Sequence, residues 1–323
     1  MKSSCARAAV LTLAAALATG AASAQTYPSR AISIIAPFSP GTGIDILARA
    51  FGQRLSDRWS VPVVVENKPG ASGNIGTELA ARAVGDGYTL MMTATTFALN
   101  PALSKKARYD PLKSFAPVSL VATGVLWFAI GANTQANSMS EFVALAKSNP
   151  GNLNYASSGN GTPQHLTMEL FKLTAGVDIT HVPYKGAAEA TKDLAGGYVD
   201  AMILPVHTIA ALVQAGKVRL LAVLSEERSP VFPAVPTFRE AGYPGVESSV
   251  WYGLMAPAST PPAVVHKLNG EINAILALPE VGGFLAKQGL SPAGGEPERL
   301  SRLVRTELER WTRVIAEAKI RAD

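Results

Sequence analysis

Two stretches of this 323-residue chain, rich in glycine and hydroxyl side chains and nearly free of charge, have the composition of loops that bind oxyanions. The first, 36–45, reads Ala-Pro-Phe-Ser-Pro-Gly-Thr-Gly-Ile-Asp and brings Ser39, Gly41 and Thr42 to the start of a helical pattern. The second, 157–162, reads Ser-Ser-Gly-Asn-Gly-Thr and also precedes a helical pattern. A helix that begins after such a loop directs free N–H groups and the positive end of its dipole at the loop. This chemistry suits a carboxylate or another oxyanion.

A single loop of this kind is more simply explained as a tight turn whose glycines relieve backbone strain. Several such loops in one chain make a binding role more plausible than a turn. A third stretch, 67–73, reads Asn-Lys-Pro-Gly-Ala-Ser-Gly and precedes a helix predicted over 75–83. This stretch adds Ala71 and Ser72 to the candidate ligand-binding residues. Together the three loops favour a binding site over three unrelated turns.

The elements that must position these loops alternate between strand and helix patterns. The run 32–36 is β-branched and predicts a buried strand, and the apolar residues that follow it recur at helical spacing. Such alternation predicts an α/β fold with doubly wound, mostly parallel sheets, whose ligands bind beyond the carboxyl ends of the strands. The apolar run 118–132 predicts two consecutive core strands rather than a membrane span. Further strands are expected at 61–66, 88–93, 153–156, 180–183, 200–204, 219–224 and 251–257.

The pattern restarts after the 118–132 run, which indicates a second domain. We expect domain 1 to be discontinuous, comprising 25–124 and 250–323, with domain 2 spanning 125–249. The proline-rich segment 229–245 is the predicted return connection, and three helices are predicted after it, over 262–278, 280–288 and 297–319. Two crossings between domains would form a hinge.

The first 24 residues have the features of a signal peptide that directs export to the periplasm. Lys2 and Arg7 precede an alanine-rich apolar stretch, and Ala22-Ser23-Ala24 fits a cleavage site before Gln25. Cys5, the only cysteine, would be removed with this leader. Disulfide and thiol chemistry are therefore not expected in the mature protein. The formal net charge of +5 falls by two when the leader leaves, which gives no reason to expect nucleic-acid binding.

The motifs of several enzyme and cofactor classes are absent from the sequence. The glycine spacings fit neither a dinucleotide fingerprint nor a phosphate loop, and no G-x-S-x-G elbow is present. The four histidines are scattered without paired helical spacing, so neither a metal site nor a cofactor is expected. His165 beside the second loop could contact a ligand or steady the loop. Asp45 could accept a ligand hydrogen bond, but a structural role at the helix start is favoured.

Five motifs and the signal peptide together resemble one known family. The motifs are Phe-Ser-Pro-Gly-Thr-Gly-Ile-Asp at 38–45, Glu-Asn-Lys-Pro-Gly-Ala-Ser-Gly at 66–73, Ala-Ser-Ser-Gly-Asn-Gly-Thr at 156–162, Val-Pro-Tyr-Lys-Gly at 182–186 and Val-Pro-Thr-Phe-Arg-Glu-Ala-Gly at 235–242. Their order and types resemble the Bug receptors, the periplasmic substrate-binding proteins of tripartite tricarboxylate transporters. The resemblance covers essentially the whole chain after the leader.

The resemblance implies a monomeric, two-domain binding protein of the Venus-flytrap type, similar to type II periplasmic binding proteins and without catalytic activity. It would capture a di- or tricarboxylate, an amino acid or an aromatic acid between its domains and pass it to transporter membrane subunits. Backbone groups, hydroxyls and waters would hold the acid. With the residues predicted from position alone, the expected ligand-binding set is Ser39, Gly41, Thr42, Asp45, Ala71, Ser72, Thr95, Ser157, Ser158, Gly159, Thr162, His165, Tyr184, Lys185 and Pro205.

Two departures from the family pattern bear on the ligand. Thr42 follows Gly41 where members commonly have a second glycine, and Leu204 and Pro205 stand where many members carry Asp or Asn. The second departure predicts a less polar distal pocket. Two alternatives remain open at this stage, namely a periplasmic α/β enzyme such as a hydrolase and a ligand-presenting partner of a signalling receptor.

Overall fold

The computed structural model describes residues 27–103, 107–184, 186–317 and 320. The predicted signal peptide and Lys185 lie outside these residues. The strands are β1 (Ile32–Ala36), β2 (Val63–Asn67), β3 (Thr89–Ala94), β4 (Phe115–Gly131), β5 (Asn154–Ser157), β6 (Thr180–Pro183), β7 (Ala201–Pro205), β8 (Val218–Val223), β9 (Ser249–Pro257) and β10 (Leu290–Pro292). The helices are α1 (Gly43–Trp59), α2 (Asn74–Ala81), α3 (Thr96–Leu103), α4 (Met139–Ser148), α5 (Pro163–Ala175), α6 (Ala187–Gly196), α7 (Ala210–Gln214), α8 (Pro262–Leu276), α9 (Pro279–Lys287) and α10 (Pro297–Glu317).

The strands form one continuous sheet that consists of two halves. Its order is β2-β1-β3-β9-β4-β7-β5-β6, with β8 and β10 also paired to β4. In the first half β1 is parallel to β2 and β3, and in the second half β5 is parallel to β6 and β7. The long strands β4 and β9 run antiparallel to each other and join the halves. The predicted α/β fold is confirmed, but the prediction of mostly parallel sheets is not, because the five pairings that involve β4 or β9 are antiparallel.

The prediction of two strands within 118–132 is wrong, because this run belongs to the single 17-residue strand β4. The polar residues Thr123 and Gly124 do not turn the chain. At Gly124 a side chain would lie 2.7 Å from Leu290 Cδ2 and 2.8 Å from Val250 Cγ2. The glycine therefore makes room for neighbouring side chains within an extended strand.

Each half of the sheet has its own apolar core. In the first half the predicted apolar face of α1, including Leu47 and Phe51, is buried against β1 and β3. The second half is centred on Phe128, where the rings of Phe142 and Phe171 pack edge to face against it. The two separate cores fix the strand ends, and with them the loops, on both sides of a cleft.

A small cluster joins the two halves at their helical surface. Leu99 of α3 and Leu166 of α5 pack with Trp311, Val314 and Ile315 of α10, and all five side chains are buried. Within the described residues no helix is long and apolar enough to cross a membrane.

The predicted helices α8, α9 and α10 all form, with ends that differ from prediction by at most two residues over the described part of the chain. Helix α3 was not predicted, since it follows the hydroxyl-rich end of β3 and contains Pro101.

Candidate functional site

A cavity of about 240 Å³ lies between the two halves of the sheet. Loops before α1 and α5, the end of β3 and the crossing strand β9 all contribute to its wall. The lining residues are Phe38, Thr42, Gly43, Ile44, Ala94, Thr95, Thr96, Ser158, Thr162, Pro163, Gln164, Val250 and Tyr252. None of these residues is acidic, basic or a histidine, so the described wall offers hydroxyls, one amide, backbone dipoles and apolar surface.

The first loop leaves the start of α1 without a side-chain cap. Thr42 occupies the N-cap position, but its hydroxyl donates a hydrogen bond back to the carbonyl of Ser39 at 2.9 Å and accepts none from the helix. The N–H groups of the first turn therefore remain available to a ligand. Because Thr42, Gly43 and Ile44 all line the cavity, this uncapped terminus faces it directly.

Asp45 holds the first loop in shape. Its carboxylate accepts hydrogen bonds from the backbone N–H of Gly41 and from Asn67 Nδ2, both at 2.9 Å, and pairs with Arg49 at 2.9 Å. Burial of this residue, which is 3% exposed, would by itself raise the pKa of the carboxyl. The hydrogen bonds from Arg49, Gly41 and Asn67 outweigh burial, so the pKa of Asp45 is lowered. Both oxygens are engaged within the protein, which fits the structural role.

The second loop is held by uncharged groups. Thr162 caps α5 by accepting a hydrogen bond from the N–H of His165 at 3.4 Å, and Pro163 begins the helix without an N–H group. The hydroxyl of buried Ser157 lies 2.7 Å from His181 Nε2. His165 Nδ1 accepts a hydrogen bond from the N–H of Gly161 at 3.0 Å, which fixes this nitrogen as the unprotonated one.

The two imidazoles stack directly beneath the second loop. The ring centroids of His165 and His181 are 4.0 Å apart with an interplanar angle of 10°, and the Tyr155 ring also stacks on His181, at a centroid distance of 4.7 Å. Burial, together with the neighbouring His165, lowers the pKa of His181 to about 4. His181 is therefore neutral at the pH of most cellular compartments, and the loop rests on an uncharged support.

The crossing strand β9 supplies the wall between the two loops. Thr95 lines the cavity while its hydroxyl accepts a hydrogen bond from the backbone N–H of Trp251 at 3.1 Å. The Tyr252 ring lies against the first residue of α1, since a Cβ placed on Gly43 would come within 2.5 Å of Tyr252 Oη. Gly43 is required here because the phenol occupies the space of a side chain.

The structure brings four of the predicted ligand-binding residues to the cavity wall, namely Thr42, Thr95, Ser158 and Thr162. Ser39, Gly41, Asp45, Ser157, Gly159 and His165 lie in or beside the same loops but do not line the cavity. Their hydrogen bonds join the backbone of each loop to side chains of the same loop or of the helix that follows it.

The remaining predicted residues that the structure describes do not line the cavity. Ala71 and Ser72 form an exposed turn of 3-10 helix before α2. The Tyr184 hydroxyl donates to Asp193 at 2.6 Å, and the Pro205 carbonyl at the end of β7 accepts from Thr208 at 2.7 Å. Lys185 is outside the described residues.

Sequence reasoning missed several residues that the structure places in the wall. Phe38, Gly43 and Ile44 belong to the first motif but carry no polar side chain, and Gln164 follows Pro163 in α5. Val250 and Tyr252 lie in or next to the predicted return strand. Because side chains alternate between the two faces of a strand, the sequence predicts that Val250 and Tyr252 share a face. It does not predict that this face lines the cleft. Among the described residues no group of three or more His, Cys, Asp and Glu side chains could hold a metal ion.

Comparison with known proteins identifies the family of this chain. Residues 47–320 match the family described as the tripartite tricarboxylate transporter family receptor. A protein encoded in the tcbD-tcbE intergenic region of Pseudomonas sp. strain P51 is 38% identical, over 96% of this chain and 94% of its own. BugT of Bordetella pertussis is 37% identical over 91% of each chain.

Solved structures show the same fold at similar levels of identity. A periplasmic transporter structure is 40% identical, covers 92% of this chain and 100% of its own, and superposes with a TM-score of 0.81. Rpa4515 of R. palustris, solved with adipate, is 34% identical over 91% and 99% of the two chains, with a TM-score of 0.81. MatC of Rhodopseudomonas palustris, solved with bound malate, is 32% identical over 90% and 100%, with a TM-score of 0.78.

An α/β sheet in two halves, with a cleft lined by loops from both, defines the class as a periplasmic binding protein. More specifically, the chain belongs to the family of tripartite tricarboxylate transporter receptors, and its resemblance to the Bug proteins is confirmed. Members of this family are substrate-binding receptors and not enzymes, so the hydrolase alternative is set aside.

Proposed function

We propose that this receptor captures a small carboxylate in the interdomain cavity and delivers it to the membrane subunits of a tripartite transporter. The observation that carries the proposal is the uncapped N-terminus of α1, which faces a cavity closed on its other side by the Ser158 loop. Export to the periplasm by cleavage of residues 1–24 is part of the same proposal.

The cavity wall supports binding of an anion by dipoles instead of by ion pairs. The first-turn N–H groups of α1 and the hydroxyls of Thr96 and Ser158 are suited to donate to carboxylate oxygens. Hydrogen bonds to a charged acceptor are roughly twice as strong as those between neutral groups, and waters can bridge the remaining gaps. Two relatives were solved with adipate and malate, which supports a carboxylate as the ligand class.

The sheet supports the proposed division into domains, with 25–124 and 250–323 as domain 1 and 125–249 as domain 2. Each half has its own core, and β4 and β9 carry the chain between them. Ligand capture would then involve closure of the domains around the acid.

Thermal unfolding across a panel of mono-, di- and tricarboxylates, amino acids and aromatic acids tests the proposal. A ligand at about 100 times its Kd should add about 2.7 kcal/mol to the free energy of unfolding. Neutral amide counterparts of the same acids should not stabilise the protein. If no organic acid raises the melting temperature, the proposed function is wrong.

A negative charge introduced into the cavity wall tests whether the acid binds there. Ser158→Asp should abolish stabilisation by the acid, because the new carboxylate repels it, while the variant still unfolds cooperatively. Ser291→Asp introduces the same charge at an exposed position of β10 and should respond to ligand as the unchanged protein does. Equal responses of the two variants would place the ligand elsewhere.

A further inference from the structure

The hydroxyl of Tyr252 occupies a distinctive position in the cavity. It lies against Gly43 at the start of α1, next to the N–H groups that the first loop leaves uncapped. The side chain lines the cavity and is partly buried. No described residue forms a hydrogen bond with Tyr252 Oη. A phenol placed in this way has its donor directed at the space where an anion bound to α1 would lie.

The phenol is suited to donate to an anion. Burial raises the pKa of Tyr252, so the hydroxyl keeps its proton at neutral pH. The hydroxyl has no hydrogen-bond partner among the described residues, so it is available to a ligand oxygen. The Tyr252 ring, in turn, adds an apolar surface that is continuous with the other apolar residues of the wall.

The described wall offers a carboxylate one uncapped helix terminus. The start of α5 differs from that of α1, since Pro163 has no N–H group and Thr162 already accepts from His165. No basic side chain lines the described wall, so its described residues offer an acid only neutral donors and apolar contacts. Much of the remaining wall is apolar, with Phe38, Ile44 and Val250 facing the same space as the Tyr252 ring.

We infer that Tyr252 donates a hydrogen bond to the ligand carboxylate at the start of α1, and that the site selects a monocarboxylate with an apolar, flat body. This inference rests on the proposed function and narrows its ligand class. Benzoate is the simplest acid with these properties. Tyr252 would act both as a donor to the carboxylate and as part of the surface against which the apolar body packs.

Isothermal titration of the full mature chain with benzoate, malate, adipate and citrate tests the inference. Benzoate should bind at least tenfold more tightly than the three acids that carry further carboxylates, and benzamide should not bind. Tyr252→Phe should raise the Kd for benzoate about tenfold or more, as expected for loss of a hydrogen bond to a charged group. Tyr198→Phe makes the same change at a side chain that is 77% exposed, far from the wall, and should leave the Kd unchanged.

The outcomes separate this inference from the proposed function. If benzoate binds equally well to the Tyr252→Phe variant and to the unchanged protein, Tyr252 is not a ligand contact and the inference fails while carboxylate capture stands. If malate, adipate or citrate binds more tightly than benzoate, selection of a monocarboxylate is overturned. If none of the acids binds, the proposed function fails, and the inference fails with it. A cooperative thermal transition for each variant establishes that it is folded.

Discussion

The loops that precede α1 and α5 have similar compositions but are built differently. Each places at the N-cap a threonine that donates back into its loop, Thr42 to Ser39 and Thr162 to Gly159, but only Thr162 also accepts a hydrogen bond from its helix. The first loop is held by the ionised Asp45 and its partner Arg49, whereas the second rests on two stacked neutral imidazoles. The same glycine and hydroxyl pattern thus supports one open and one closed helix terminus.

We expect the two halves to contribute differently to ligand binding, because the starts of α1 and α5 differ. The uncapped terminus of α1 can donate directly to an anion, while the capped α5 contributes mainly the Ser158 hydroxyl and a rigid wall. A fixed charge in the first loop is tolerated because hydrogen bonds occupy both oxygens of Asp45. The second loop carries no such charge and depends on the protonation state of its histidines.

Removal of the Asp45 carboxylate should have the largest effect on stability. Asp45→Ala leaves Gly41 N–H and Asn67 without their acceptor and should lower the free energy of unfolding by about 2 kcal/mol. Chemical denaturation measures this loss, and ligand affinity should fall with it because the first loop loosens. Asp57→Ala, at an exposed position of the same helix, should change stability by less than about 0.5 kcal/mol. Similar losses in both variants would contradict the role assigned to Asp45.

Acid should weaken the second loop through His181. The folded protein keeps His181 neutral down to about pH 4, whereas a histidine in the unfolded chain takes up a proton near pH 6.5. The unfolded state therefore binds more protons in this window, and the free energy of unfolding should fall as pH is lowered from 6.5 to 4. After allowance for partial exposure of the ring, its share is on the order of 1 kcal/mol.

Denaturation at several pH values, in the unchanged protein and in His181→Gln, measures this share. The groups around the ring are His165, Tyr155, the Ser157 hydroxyl, Glu169 and Lys172. The variant should lose part of the pH dependence, while His266→Gln, at an exposed position, should retain it. An unchanged slope in His181→Gln would show that another group is responsible.

Substitution of the two threonines tests the comparison most directly, and its expected effect on stability is the smallest. Thr162→Val removes a helix cap and should cost about 1 kcal/mol of stability. Thr42→Val removes only a hydrogen bond within a partly exposed loop and should cost less than about 0.5 kcal/mol. Thermal or chemical unfolding without ligand compares the two. Equal losses would mean that the two helix termini are not as different as their hydrogen bonds indicate.

The sequence was informative about the fold because its strands and helices follow strong local patterns. The apolar face of α1 and the proline start of α5 were both readable, and so was the return strand β9. The sequence around Gly124 led to the wrong prediction of two strands within 118–132. This glycine makes room for Leu290, which belongs to a strand far along the chain. Helix α3 was missed because Pro101 and the adjacent hydroxyl-rich segment do not resemble a helix.

The site was only partly predictable for a related reason. Glycine and hydroxyl patterns identified the loops, and Thr42, Ser158 and Thr162 of these loops do line the cavity. Those patterns cannot distinguish a residue that faces the cavity from one that supports the loop, as Ser157 does through His181. Tyr252 comes from a strand that only the folded sheet brings against α1. Its contribution depends on tertiary structure and leaves no local signal.

The cluster of Leu99, Leu166 and Trp311 has a consequence for the energetics of capture. Helix α10 lies at the outer surface, yet it touches α3 from one half and α5 from the other. Moving the halves apart would wet these side chains, and each fully exposed large apolar residue costs about 1.5–3 kcal/mol. The width of the cleft without ligand is thus set in part by this cluster, which forms a seam between the two halves away from the ligand. Polar substitutions along that seam would tune capture and release while leaving every residue of the pocket intact.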